Sequence, residues 1–282
     1  MNMHAAASQA ERDSIIVTPD TAIARQELTG TSLALRNTGI IPQTFNQDRP
    51  RLPSPHQVTA ELWDTIALKR VTSKRSLVYH GWVTVSATLL GFAIGTGLGI
   101  LLAVGIVYSR AMDLSIMPWA IASQTVPILA VAPMVIVMLG AIGIQGLFPK
   151  AMIAAYLSFF PVVVGMVKGL RSPDAMQLDL LRTYSASRLQ EFLKLRLPAS
   201  APYLFASLKI GIAASLVGTI VGELPTGARA GLGARMLVGD QFGQPLVAWA
   251  ALFAAAIAAA LLVGALALIE RATLRRMGIA PA

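Results

Sequence analysis

Residues 241–269 run for 29 positions without a charged side chain, and no other feature limits the possible folds so sharply. A helix of about 20 residues is long enough to cross the hydrocarbon core of a bilayer. Four more apolar runs have the same character, at 81–107, 126–148, 151–167 and 203–223. The last carries Lys209 near its start and Glu223 at its end, and the others carry no charge. The expected fold is therefore an all-α polytopic membrane protein with five recognisable transmembrane helices. Overall, 13% of residues are charged, against about 25% in a soluble domain.

The rest of the composition removes whole classes of chemistry. With no cysteine there is no disulfide framework, thiolate zinc site or cysteine nucleophile. His4, His56 and His80 all precede the first apolar run and lack metal-ligand spacing. No cofactor or metal is expected on this chain. The net charge of +9 reads as Lys- and Arg-rich cytoplasmic loops, with no nucleic-acid partner. Residues 1–30 lack the basic start and apolar run of a secretory signal.

Outside the spans, residues 1–55 read as a polar, largely irregular tail ending in Pro50, Pro53 and Pro55. Residues 56–80 read as an amphipathic interfacial segment with Leu62, Trp63, Ile66 and Leu68, followed by Lys69, Arg70, Lys74 and Arg75. The transmembrane domain occupies 81–270 and a cytoplasmic tail 271–282. In the first span, Gly91, Gly95, Gly97 and Gly99 are spaced for close helix packing in lipid.

Loop charge sets orientation. Lys168, Arg171, Arg182, Arg188, Lys194 and Arg196 lie between spans three and four, and Arg271, Arg275 and Arg276 follow span five. Both places are expected to be cytoplasmic. Counting back through five crossings puts the N-terminal tail outside, against the preference of the basic cluster at 69–75.

The connection at 171–200 is too regular for a plain turn. Leu180, Leu181, Tyr184, Leu189, Phe192, Leu193 and Leu197 recur at roughly helical spacing. Ser172 or Asp174 could cap a first short helix and Ser185 or Ser187 a second, with Pro198 stopping the pattern.

These residues resemble the cytoplasmic loop of binding-protein-dependent ABC permeases. The family pattern is Glu-Ala-Ala, three residues, Gly, nine residues, then Ile-x-Leu-Pro. Here Asp179-Leu180-Leu181 fills the triplet, Ser185 the Gly position and Leu195-Arg196-Leu197-Pro198 the end, with both spacings kept. LPSP at 52–55, SQTVPILAVAP at 123–133 and GELPTGARAGLG at 222–233 have counterparts in the nitrate/sulfonate/taurine branch, which includes importers of pyrimidine precursors of thiamine. The resemblance covers about residues 52–277. Serine at the Gly position is strained if the backbone needs positive φ and harmless if the position is only a tight turn. The family norm is six crossings, the first before LPSP; residues 1–51 hold no apolar run of that length.

The resemblance implies an inner-membrane permease subunit paired with a second copy or a paralogous permease. Two ABC ATPase subunits, which bind ATP and Mg, and a periplasmic or lipid-anchored solute-binding protein complete the system. It also implies that the loop is a coupling helix, with Asp179 and Arg188 as polar anchors, Ser185 as the turn and Leu180, Leu181, Leu193, Leu195 and Leu197 on the apolar face. For the solute path, Gln124, Thr125 and Pro127 stand at a Pro-broken span, where freed backbone groups often face a cavity. Glu223 is a carboxylate at a span end, in the path, in water or paired with Arg229. The glycine-rich stretch 227–233 lacks the Gly-Lys-Ser/Thr of a phosphate loop. The competing readings are an ATP-independent secondary transporter, which would carry an inverted repeat and buried coupling charges, and an intramembrane enzyme, which would need a paired nucleophile and base. The solute is expected to be pyrimidine-like, with sulfonate or nitrate behind it.

Overall fold

The computed structural model describes residues 2–13, 15–19, 21–45, 47, 50, 52–224 and 230–278. Among them the chain is helical, with no strand. In order the helices are α1 (Asn2–Arg12), α2 (Ala22–Gln26), α3 (Gly30–Arg36), α4 (Pro55–Trp63), α5 (Leu77–Tyr108), α6 (Arg110–Ser123) and α7 (Ile128–Ala141). They continue with α8 (Leu147–Leu170), α9 (Ala175–Thr183), α10 (Arg188–Glu191), α11 (Leu197–Glu223), α12 (Leu232–Gln241) and α13 (Pro245–Arg276). Among the described residues α5, α8, α13 and the run Arg188–Glu223 are long and apolar enough to cross a membrane. The α6–α7 pair, bent by 98°, makes a fifth crossing if counted as one span.

The chain divides into two compact units, residues 1–80 with 234–254 and residues 81–233 with 255–282. In the second unit α8 is the central span, with 14 of its residues buried. Small residues let its neighbours approach. A Cβ on Gly95 of α5 would lie 2.2 Å from Ser158 Oγ, and one on Gly165 of α8 would lie 2.3 Å from Ser207 Cβ of α11. Hydrocarbon gives no hydrophobic drive between helices, so this close dispersion contact holds them. Gly91 and Gly99 pack the same way; Gly97 faces open space.

Side-chain contacts fix the direction of each span. At one end Tyr108 stacks edge-to-face on Phe192, and Arg196 donates to the Leu170 carbonyl at 2.8 Å. The C-terminal ends of α5 and α8 and the start of α11 therefore share the face that carries residues 171–196. At the other end Lys150 and Thr84 meet Glu223. Because α5 arrives at the loop face and α8 departs from the opposite one, α6 and α7 together cross once.

Three expectations change. The second crossing, expected as a Pro-broken span over 126–148, is instead the α6–α7 pair: it begins at Arg110, breaks at 124–127 and ends at Ala141. Among the described residues, 1–55 holds α1, α2 and α3 in place of the expected irregular tail. Met3, Ala6, Ala7 and Ala10 form a buried stripe on the alanine-rich α1 and pack with Val17, Leu33 and Ile40. Asn37 locks this cluster, accepting from Thr18 N–H at 2.8 Å and donating to the Thr18 carbonyl at 2.7 Å. Finally, Pro198 does not stop the helix. A π-helical turn at Phe192–Arg196 runs directly into α11. Proline normally breaks a helix by removing one hydrogen bond and clashing with the carbonyl four residues back; the widened turn, closed by Leu197 N–H to the Phe192 carbonyl, accommodates both.

Candidate functional site

The 171–200 connection folds as two helical pieces around one tight reversal. Asp174 begins α9, its backbone N–H donating to Gln177 Oε1 at 3.2 Å. Ser187 begins α10 with a reciprocal pair: its N–H donates to Gln190 Oε1 at 2.8 Å, and its Oγ accepts Gln190 N–H at 3.3 Å. Between them Ser185 adopts φ 51°. Ser185 N–H donates to the Arg182 carbonyl at 2.8 Å and Ala186 N–H to the Leu181 carbonyl at 3.0 Å. This is a Schellman ending with serine in the left-handed seat usually taken by glycine.

The outer surface of this reversal is apolar. Leu180 is 58% exposed and Leu189 66%, with Met176, Tyr184 and Leu193 also exposed. Leu181, Leu195 and Pro198 are half-buried, and Leu197 is only marginally exposed. Asp179 pairs with Arg182 of the same helix at 2.9 Å in the open, and Arg188 is exposed at the start of α10.

The loop is anchored by contacts of Arg196 and Phe192 that the sequence pattern does not reveal. Arg196 reaches the Leu170 carbonyl, pairs through Nε with Glu191 at 2.6 Å and lies over the Tyr108 ring. Phe192 packs on the core cluster containing Ile106, Met166 and Leu170. Tyr108, Leu170 and Arg196 are far apart in sequence, and no local pattern links them.

Gln124, Thr125 and Pro127 lie together at the break between α6 and α7, and all three are exposed. The Tyr156 hydroxyl donates to the Ser123 carbonyl beside them. Tyr156 lies about 14 Å along α8 from Leu147 at 1.5 Å per residue, so the break is near mid-depth.

Glu223 stands apart from them at the opposite face. It is fully buried. Its Oε1 accepts from Lys150 Nζ at 3.2 Å and its Oε2 from Gly233 N–H at 2.9 Å, while Thr84 Oγ1 lies within 3.0 Å of both oxygens. Thr84 Oγ1 also accepts Leu232 N–H at 2.8 Å, and Lys150 donates to the Ala230 carbonyl at 2.7 Å. A Cβ on Gly231 would fall 2.0 Å from this carboxylate. The proposed partner Arg229 and the first part of the glycine-rich stretch, 227–229, lie outside the described residues. The partner present is Lys150, 73 positions away. Thr88 continues the polar string, its hydroxyl 3.0 Å from Thr219 Oγ1, with Ser215 donating to the Thr88 carbonyl at 2.9 Å. Below it, Lys209 pairs with Glu270 at 2.8 Å.

Comparison with known proteins adds three relatives and a family. Residues 95–278 match the family described as binding-protein-dependent transport system inner membrane component. A probable ABC transporter permease protein of Haemophilus influenzae is 31% identical over 66% of this chain and 70% of its own length. The formylaminopyrimidine transport permease protein ThiX of Halalkalibacterium halodurans is 30% identical over 64% and 68%. The riboflavin transport system permease protein RibX of Chloroflexus aurantiacus is 32% identical over 70% and 69%.

Proposed function

Because this chain belongs to the family of binding-protein-dependent transport system inner membrane components, and is thus a multi-pass protein of the bacterial inner membrane, we propose that it forms the translocation path of an ATP-driven importer and couples to its ATPase through residues 171–200. It is a transport component; ATP and Mg are handled by the ATPase partner. One observation carries the coupling reading: an exposed apolar ridge of Leu180, Leu189 and Leu193 on helices anchored by Arg196 to the ends of two spans. An apolar helical face of this kind suits a groove on a partner. With the loop in the cytoplasm, closure of an ATPase dimer would draw two such loops together. The rigid link through Arg196 and Phe192 would pass that motion to α5, α8 and α11, an alternating-access movement of packed bodies. A second permease, identical or paralogous, completes the pore, and a solute-binding protein delivers cargo at the face near Glu223.

Within the path, Gln124, Thr125 and Pro127 are the best-supported lining residues, since a broken helix at mid-depth frees backbone groups for a solute. Glu223 instead holds the 230–233 turn against α5 and α8. Its protein partners leave no reason to assign it an ion, which disfavours the secondary-transporter alternative. The cargo is a flat nitrogen heterocycle of the pyrimidine type, by kinship with the formylaminopyrimidine and riboflavin permeases. A sulfonate or nitrate-type anion is the second choice.

The test is co-purification of the tagged chain with its ATPase from bacterial membranes. The native chain should retain the ATPase, and the Leu189→Glu/Leu193→Glu variant should lose it while keeping its gel-filtration profile. Equal retention by both removes the loop from the interface.

A further inference from the structure

A tight turn between α4 and α5 gathers three cations, Arg70, Lys74 and Arg75, that form no ion pair among the described residues. Ser73 N–H donates to the Arg70 carbonyl at 2.8 Å, Ser76 N–H to the Ser73 carbonyl at 2.9 Å and Arg75 N–H to Ser73 Oγ at 3.2 Å. His80 Nε2, 2.9 Å from the Lys74 carbonyl, fastens the turn to the first helical residues of α5. Lys69 is occupied by Asp64 at 2.5 Å. Arg70, Lys74 and Arg75 are exposed, and among the described residues none of them forms an ion pair.

Arg235 of α12 belongs to the same compact unit. Its guanidinium is half-buried, and its Nε is shielded from solvent with no hydrogen-bond acceptor among the described residues. Burial pushes its pKa down, Glu61 pushes it up and Arg75 pushes it down again, so one carboxylate and one further cation act on it. A buried guanidinium donor that shares its surroundings with a second arginine calls for an acceptor with several oxygens.

Trp63, Leu68 and Val71 are exposed on the segment leading into this turn, and Trp63 is 69% exposed. Apolar and aromatic side chains beside cations, a few residues before a membrane span, match the headgroup level of a bilayer. A soluble acidic partner would explain the charges but not this apolar flank.

We propose that Arg70, Lys74, Arg75 and Arg235 form a headgroup site for an anionic phospholipid, with Trp63, Leu68 and Val71 seated at the acyl boundary. The site lies at the start of α5, the helix whose other end, Tyr108, packs on Phe192 of the 171–200 loop. Its assignment to the outer leaflet rests on that loop being cytoplasmic; the binding itself does not. A lipid phosphate there supplies the counter-charge that makes a basic cluster tolerable on the side where basic clusters are rare.

The experiment is native mass spectrometry of the full chain in detergent, titrated with phosphatidylglycerol or phosphatidylcholine. The native chain should prefer phosphatidylglycerol, and the preference should shrink in high salt, a readout that needs no mutation. Each cation removed should weaken phosphatidylglycerol binding about five-fold, so Arg75→Gln/Arg235→Gln should lose about twenty-five-fold. Arg275→Gln/Arg276→Gln, at the other end of the chain, should change little. Equal binding of the two lipids by the native chain overturns the proposal, as does unchanged preference in a folded Arg75→Gln/Arg235→Gln variant. If that variant keeps its lipid and loses affinity for the solute-binding protein, the cluster reads an acidic protein instead. ATPase retention, measured on the same samples, separates failure of this site from failure of the coupling reading.

Discussion

Replacing Ser185 with glycine should tighten the 171–200 loop. Ser185 has φ 51° and closes a Schellman ending through hydrogen bonds of 2.8 and 3.0 Å. An L-residue in that conformation carries a cost of about 1–2 kcal/mol from the Cβ. Glycine removes it, but the more flexible open chain returns about 0.5–1 kcal/mol. The net gain is about 0.5–1 kcal/mol, a two- to five-fold slowing of local opening at RT of about 0.59 kcal/mol. Hydrogen exchange at the amides of residues 185 and 186 reads this directly, because both are donors in the motif. Ser185→Val should act in the opposite sense, since a β-branched side chain fits the left-handed region worst. Unchanged or faster exchange in Ser185→Gly would refute the claim that this position stores backbone strain.

Other changes test the remaining framework. Gly95→Val should separate α5 from α8 and lower the thermal midpoint in detergent by an overpacking cost of about 1–3 kcal/mol, whereas Gly97→Val, with open space around it, should be tolerated. Glu223→Leu should leave Lys150 buried and unpaired and destabilise the chain by about 3–5 kcal/mol; Glu223→Leu/Lys150→Met should recover much of that loss, as a double-mutant thermal-unfolding cycle would read. Arg196→Met should cost about 2 kcal/mol through its lost charged hydrogen bonds and, in reconstituted vesicles, lower transport more than ATPase retention, since the loop would still dock but transmit poorly.

The spans were legible because charge-free runs depend on composition alone, and the loop because its leucines recur at helical spacing around a matched motif. What remained hidden depends on contacts between distant residues. Pro127 marked a break, but the 98° bend and its depth follow from tertiary packing, where Tyr156 holds the Ser123 carbonyl. Lys150 interrupts the charge-free run just before 151–167, and its pairing with Glu223 lets it sit at a span end. The fold of 1–55 escaped because alanine carries little hydropathy, so the stripe of Ala6, Ala7 and Ala10 looks polar until Leu33 covers it. Pro198 misled for a local reason: the rule that proline ends a helix assumes an α turn before it, and here the turn is π.

The chain contains no cysteine, so a single introduced thiol is a clean probe of the coupling claim. Leu189→Cys, co-expressed with the ATPase and treated with a short bifunctional cross-linker, should yield a covalent permease–ATPase product whose amount changes when ATP is added. Ile66→Cys, in the segment that precedes α5, should yield none. A cross-link from residue 66 and none from residue 189 would contradict the account, because the ATPase would then meet the segment before α5 and not the loop.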